Sequence, residues 1–279
     1  MAETLDGNTP IEVPGFSYLP RFISEAESEA LLRYFGSLTP LWESRHVGGH
    51  AAREGQKERR LTRPVYWLGA WQFACLGYYS PPKHIEEKCV RAEPFPTPMR
   101  DVLERLAPKL AAHQDDAQLT PNTCLINYYG SELTTDAKGR PQPVDSARLR
   151  MHRDHEPGPV VMFSLGQPAL FEFVDAQTPD APEVSLWLKN RSVVLFSGPK
   201  YKDHLYHRVT RVRHGDEPKM PEVLPDFRLR RVSVSFRHVP DAHVKSFAEL
   251  SEGAREQVRG YVEQLAEKSE HFKRALASK

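Results

Sequence analysis

Cysteine is scarce in this chain of 279 residues: Cys75, Cys89 and Cys124, an odd number with no CxxC spacing. That set argues against a disulfide framework or a structural zinc site and suits a reducing compartment. Long apolar runs are also missing. No stretch approaches the roughly 18 residues of a membrane span, and the opening MAETLDGNTP is polar, with no apolar leader. Net charge is the third absence, with Lys+Arg 38 against Asp+Glu 37 leaving +1. A nucleic-acid partner would therefore need a local basic surface. No internal repeat is visible. These absences lead to an expectation of a soluble monomer without membrane contact, in the cytoplasm or, in a eukaryote, the nucleus.

The residues that are present divide into three parts. Around "GFSYLPRFISEAESEALLRYF" a short β-like entry leads into a helix from about Ser24, with Ser24 as N-cap and Glu27 completing a capping box. Residues 42–98 read as loops and short strands, and a second helix is expected from about Pro98 to His113, with Val102, Leu103, Leu106 and Leu110 on one face. From residue 122 the runs TCLINYY, PVVMFSL, ALFEFV, VSLWL, SVVLF, LYHRV and RRVSVSFRHV alternate with turn residues, which indicates a sandwich or barrel. Beyond Pro240 the pattern is helical again, with a stripe of Val258, Tyr261, Val262 and Leu265.

One stretch in the β-rich part is chemically unusual. His152, Arg153, Asp154, His155 and Glu156 run through Pro157-Gly158-Pro159 into the apolar Val160 to Phe163. His-x-Asp occurs three times, at 113–115, 152–154 and 214–216, and the first and third read as solvated loops. The middle one lies at a strand edge, where His152 and Asp154 can share a face. His207 sits inside another apolar strand, whereas His204 would face the other way. Two imidazoles and one carboxylate suit the facial triad of non-haem Fe(II) oxygenases, although zinc can use the same ligands and core histidines can be satisfied without metal.

The last strand alternates cleanly. Val232, Val234 and Phe236 face one way; Arg231, Ser233, Ser235 and Arg237 face the other. Inward guanidinium groups need anionic partners, and arginine grips a carboxylate through paired hydrogen bonds. Asn127 and Tyr129 share one face of a further strand.

The ordered series Asn127-x-Tyr129, His152-x-Asp154, SLGQPALFEF (164–173), YHRV with His207, and R-x-S-x-S-x-R from Arg231 to Arg237 resembles the AlkB family of Fe(II)/2-oxoglutarate dioxygenases, which demethylate nucleic acids. The resemblance covers residues 122–238 and, more loosely, 16–121. It implies an α+β, mainly β fold: a double-stranded β-helix (jelly roll) with flanking helices and an N-terminal nucleotide-recognition lid. One catalytic domain would span 1–279, with helices and lid in 1–121, the core in 122–240 and a helical extension in 241–279. His152, Asp154 and His207 would be the catalytic iron ligands. Arg231 and Tyr129 would bind the far carboxylate of 2-oxoglutarate, and Asn127, Ser233 and Arg237 would complete its site. Fe(II), 2-oxoglutarate and O2 would be required.

The same resemblance implies DNA-repair chemistry on N-methylated bases of the 1-methyladenine or 3-methylcytosine type, in DNA or RNA, with release of formaldehyde, succinate and CO2. RRLTRPVYWLG (59–69) resembles the family's lid strand, so Arg60, Arg63, Tyr66 and Trp67 would bind substrate, and Glu156 would face the cationic base. The alternative is a 2-oxoglutarate hydroxylase or demethylase of a protein or small molecule. Ser233 replaces an amide common in the family, and the connection from Gly130 to Met151 is long.

Overall fold

The computed structural model describes residues 4–46, 58–73, 77–78, 89–113, 119–216 and 218–278. Its N-terminal part comprises β1 (Thr4–Leu5), β2 (Ile11–Val13), β3 (Phe16–Leu19), α1 (Glu25–Ser37), β4 (Ser44–His46), β5 (Glu58–Arg60), β6 (Val65–Gly69), β7 (Gln72–Phe73), β8 (Gly77–Tyr78), β9 (Cys89–Val90) and α2 (Thr97–Ala111). Then come β10 (Thr123–Thr135), β11 (Pro141–Asp145), β12 (Leu149–His152), β13 (Val160–Gly166), β14 (Ala169–Val174), β15 (Val184–Leu188), β16 (Ser192–Phe196), β17 (Tyr206–Val212) and β18 (Phe227–Arg237), followed by α3 (Glu252–Ala266) and α4 (Glu270–Ala277).

Local chemistry accounts for the helix starts. The Ser24 hydroxyl accepts from the Glu27 amide, and the Glu27 carboxylate accepts from the Ser24 amide at 2.8 Å, so two orphan donors of α1 are satisfied. Pro98 opens α2, where its missing N–H costs nothing. Val102, Leu106 and Leu110 recur every four residues and are buried, as are Val258, Tyr261, Val262 and Leu265 of α3. The C-terminal stripe therefore packs on the protein's own core.

Two sheets form a jelly roll. The larger has the order β11-β10-β18-β13-β16-β3-β2, with β6 pairing β10 as well; the smaller has the order β1-β15-β14-β17-β12. Alternation along β18 separates two packing layers. Val232, Val234 and Phe236 join Leu31, Phe35, Val102, Leu106, Val258 and Phe272 beneath the helices. Each such burial contributes about 1.5–3 kcal/mol. Tyr129, Met162, Phe171, Phe173 and Phe196 fill the space between the sheets. The opposite face of β18 thus turns its arginines into the roll.

Two segments attach to β10. Val65–Gly69 is a full partner of β10, with Trp67 opposite Leu125 and Val65 opposite Asn127. The connection after Gly130 continues β10 and returns as β11, pairing Ser131 with Asp145 and Leu133 with Pro143. β11 is exposed throughout, and its prolines suit an edge strand, where fewer N–H groups are left to recruit another strand.

Candidate active site

Four strands converge on one charged cluster between the sheets. β12 ends at His152, which pairs across the ladder with His207 of β17. Antiparallel partners face the same side, so both imidazoles point inward, with ring centroids 4.2 Å apart. Asp154 lies just beyond β12; its Oδ2 is 3.5 Å from His207 Nε2. Ligand atoms of His152, Asp154 and His207 all lie within 4.8 Å of one another, the one such group of His, Cys, Asp or Glu among the described residues.

The protonation chemistry fits a cation. Burial, and then the neighbouring His152, push His207 down to about 3, and burial also lowers His152. Both rings are therefore neutral at pH 7 and keep a lone pair. His152 Nδ1 lies 2.9 Å from the Arg150 carbonyl, which can only accept. The Nδ1 therefore carries the proton and Nε2 is left to donate its lone pair. Burial works against the charged Asp154 carboxylate, but Arg237 together with the two neighbouring histidines more than offsets it and holds the carboxyl well below its ordinary range. Arg237 donates to Asp154 Oδ1 from Nε at 2.8 Å and contacts it from Nη2 at 2.6 Å. The other oxygen, Oδ2, is buried without a hydrogen-bond partner among the described residues. Two neutral imidazoles and an orphaned carboxylate oxygen fit Fe(II).

Arg231 supplies a second orphan. It is 1% exposed, and neither its Nε nor its Nη1 has a hydrogen-bond partner among the described residues. Burial lowers its pKa to about 10. A β-bulge after Tyr129 sets Arg231 opposite that ring, with the guanidinium 5.6 Å from the ring centroid. Across the other edge, Gly166 opposes Arg231 with φ +97. A Cβ at Gly166 would meet the Arg230 carbonyl at 2.5 Å and the Arg231 Cα at 3.0 Å, so glycine is required there. An unmatched buried guanidinium fits a carboxylate ligand. Asn127, opposite Ser233, and Ser233, opposite Ser164, line the same inner face; all three are buried.

A family model for the 2OG-Fe(II) oxygenase superfamily matches residues 15–237. The chain belongs to the 2OG-Fe(II) oxygenase superfamily. It is a dioxygenase that uses Fe(II), 2-oxoglutarate and O2. Among solved structures, that of OsALKBH1 aligns with a TM-score of 0.52 at 20% identity, covering 83% of this chain and 100% of that one, and shares the AlkB-like fold. No curated protein matches it by sequence. No helix among the described residues is long and apolar enough to cross a membrane.

The remaining sequence-derived residues of the oxygenase divide. Glu156 is half-buried beside Arg237, 3.6 Å from its Nε. Trp67 lies on the inner-facing side of β6 with Leu125 and Trp71. Tyr66 faces the opposite way, among the helix-side residues, and donates to Glu93 at 2.7 Å. Adjacent strand residues cannot share a face, so the pair is split. Arg60 is exposed and forms a two-pronged pair with Glu132, while its guanidinium stacks 4.2 Å from the Trp42 ring centroid. Arg63 is buried, its Nε donating to Asn127 Oδ1 at 2.7 Å. The side chain of Arg59 lies outside the described residues. Of the other histidines, His204 is exposed on Asp175 and His214 on Arg230. His113 is half-buried between Ser17 and Ser197 rather than in a solvated loop.

Sequence reasoning missed Lys202. It lies in a π-helix, Pro199–His204, and its buried ammonium donates to the carbonyls of Glu156 and Gly158, bracing the loop that carries Asp154. A lysine in GPKYKDH gives no sequence signal of that role.

Proposed function

We propose that this oxygenase removes N-methyl groups of the 1-methyladenine or 3-methylcytosine type from DNA or RNA, as one catalytic unit. The observation that carries the reading is Glu156, an acidic group half-buried 3.6 Å from the Arg237 that holds the Asp154 carboxylate. A carboxylate beside the candidate iron ligands suits the positive charge of these lesions, and Trp67, on the Leu125 side of β6, offers a ring to stack on. The AlkB-type order of motifs and the fold shared with OsALKBH1 point the same way.

In this reading His152, Asp154 and His207 hold Fe(II), and Arg237 keeps the Asp154 carboxylate ionised and oriented. Iron there would supply the superfamily's oxidising chemistry, in which 2-oxoglutarate and O2 become succinate and CO2 while a substrate C–H is hydroxylated. Arg231 with Tyr129 receives the far carboxylate of 2-oxoglutarate, and Asn127 and Ser233 offer polar groups along its length. Arg63 donates to Asn127 Oδ1, which leaves the Asn127 amide N–H groups to other partners. An N-hydroxymethyl product would lose formaldehyde and leave the unmodified base.

One observation favours the alternative, a protein or small-molecule substrate: Arg60 and Arg63, the lid cations, are already engaged by Glu132 and Asn127. The test is incubation with Fe(II), 2-oxoglutarate and ascorbate against methylated oligonucleotides, methylated proteins and free nucleosides. Formaldehyde release from oligonucleotides supports the proposal. Turnover of a protein or metabolite alone, with oligonucleotides untouched, transfers it to the alternative.

A further inference from the structure

We propose that the outer face of the smaller sheet is a nucleic-acid surface, binding the phosphodiester backbone of the strand whose base enters the site. The inference rests on the nucleic-acid reading above.

β12 and β17 carry both chemistries. Their inward residues include His152 and His207, and the pairing of Leu149 with Val209 turns Arg148, Arg150 and Arg208 to the opposite side. Register across β14 and β15 brings Arg208 beside Glu172, and Arg211 beside Leu170 and Trp187. The guanidinium groups of Arg211 and Arg213 stack 5.0 and 4.3 Å from the Trp187 ring centroid, and Arg153 lies 4.7 Å from that of Tyr206.

Six arginines thus gather on and beside one face: 148, 150, 153, 208, 211 and 213. Glu172 is the one carboxylate at the outward positions of β12, β14, β15 and β17, and it is taken by Arg208 at 2.7 Å. Arg148, Arg150, Arg211 and Arg213 are exposed. The whole chain carries only +1, so this is a local concentration of charge and not a share of a general excess. Arg153 stands between His152 and Asp154, which joins the basic face to the candidate iron site. Guanidinium groups held flat against Trp187 and Tyr206 suit the phosphates of a polynucleotide backbone. The face also supplies the phosphate contacts that Arg60 and Arg63, held by Glu132 and Asn127, are poorly placed to make.

The test is fluorescence anisotropy of a labelled single-stranded oligonucleotide carrying one 1-methyladenine, titrated with full-length protein across a salt series. Wild type is compared with Arg211→Ala/Arg213→Ala and with Arg33→Ala/Arg100→Ala, a charge-matched control on the helical side. Affinity of the first variant should fall roughly tenfold, and its salt slope by about 1.4, at roughly 0.7 per single-strand phosphate contact. The control should bind like wild type. 2-Oxoglutarate affinity, set on the inner face, is read in the same samples as a check on folding. If wild type and the Arg211/Arg213 variant bind with equal affinity and slope, this face is not the nucleic-acid surface, and the proposed function stands. If wild type neither binds nor demethylates oligonucleotides, both fall. Anionic vesicles or poly-glutamate bound in place of oligonucleotide, and released by the same variant, would also overturn the proposal.

Discussion

Replacing Arg231 with methionine should separate ligand binding from folding. Arg231 is 1% exposed and its Nε and Nη1 lack partners among the described residues, so in the unliganded protein it is a buried charge with incomplete compensation. Methionine has similar length and no charge, and such a change in a core is often neutral or stabilising. The unliganded variant should therefore melt no lower than wild type. 2-Oxoglutarate binding should suffer. Hydrogen bonds to charged groups are worth about 1.5–3 kcal/mol, which converts to a roughly 12- to 140-fold weaker Kd. The consequence can be read by thermal shift with Mn(II) replacing iron. At a 2-oxoglutarate concentration of about 100 times the wild-type Kd, linkage adds about 2.7 kcal/mol to the wild type. The same concentration adds only about 0.3–1.3 kcal/mol to the variant. For a chain of this size the wild-type shift is roughly 5–10 °C. Arg231→Lys keeps charge but loses the fork and should recover only part of it. Equal ligand-induced shifts in wild type and Arg231→Met would refute the assignment.

His207→Ala should abolish metal binding and 2-oxoglutarate turnover, whereas His214→Ala should leave both near wild type; Mn(II) titration followed by paramagnetic resonance measures the first directly. Trp67→Ala should weaken methylated-oligonucleotide binding by about 1–3 kcal/mol. Tyr66→Phe should instead cost about 1 kcal/mol of stability through the lost Glu93 hydrogen bond, with substrate KM unchanged; a KM rise with unchanged stability would contradict this. Gly166→Ala forces a left-handed φ onto a residue with a Cβ and crowds the Arg231 backbone, so denaturant unfolding should register a loss of about 1–3 kcal/mol, and 2-oxoglutarate affinity should fall with it.

Much of the architecture was legible because periodicity and capping are local. The valine-phenylalanine face of β18, the Ser24 capping box and the stripe on α3 each follow from spacing alone. The inward pairing of His152 with His207 could be anticipated from strand alternation once both were assigned to strands. Other features depend on contacts between distant segments. Tyr66 and Trp67 look like one aromatic patch in sequence, but a strand sends them to opposite faces. Arg60 and Arg63 look like free cations until β10 brings Glu132 and Asn127 against them. Gly130 to Met151 carries polar and proline residues typical of a loop, yet its alternation extends β10 into a hairpin. Arg237 reads in sequence as a co-substrate contact, and its bond to the Asp154 carboxylate is a relation that only the approach of β18 to the 154–159 loop creates.

The central claim is tested most directly by mass spectrometry of a single-stranded oligonucleotide containing one 1-methyladenine. Wild-type protein, Fe(II), 2-oxoglutarate and O2 should yield the oligonucleotide lighter by one methyl group, with formaldehyde and succinate formed in equal amounts, and His207→Ala should yield none. An unchanged oligonucleotide mass, in a preparation that still converts 2-oxoglutarate to succinate, would contradict it.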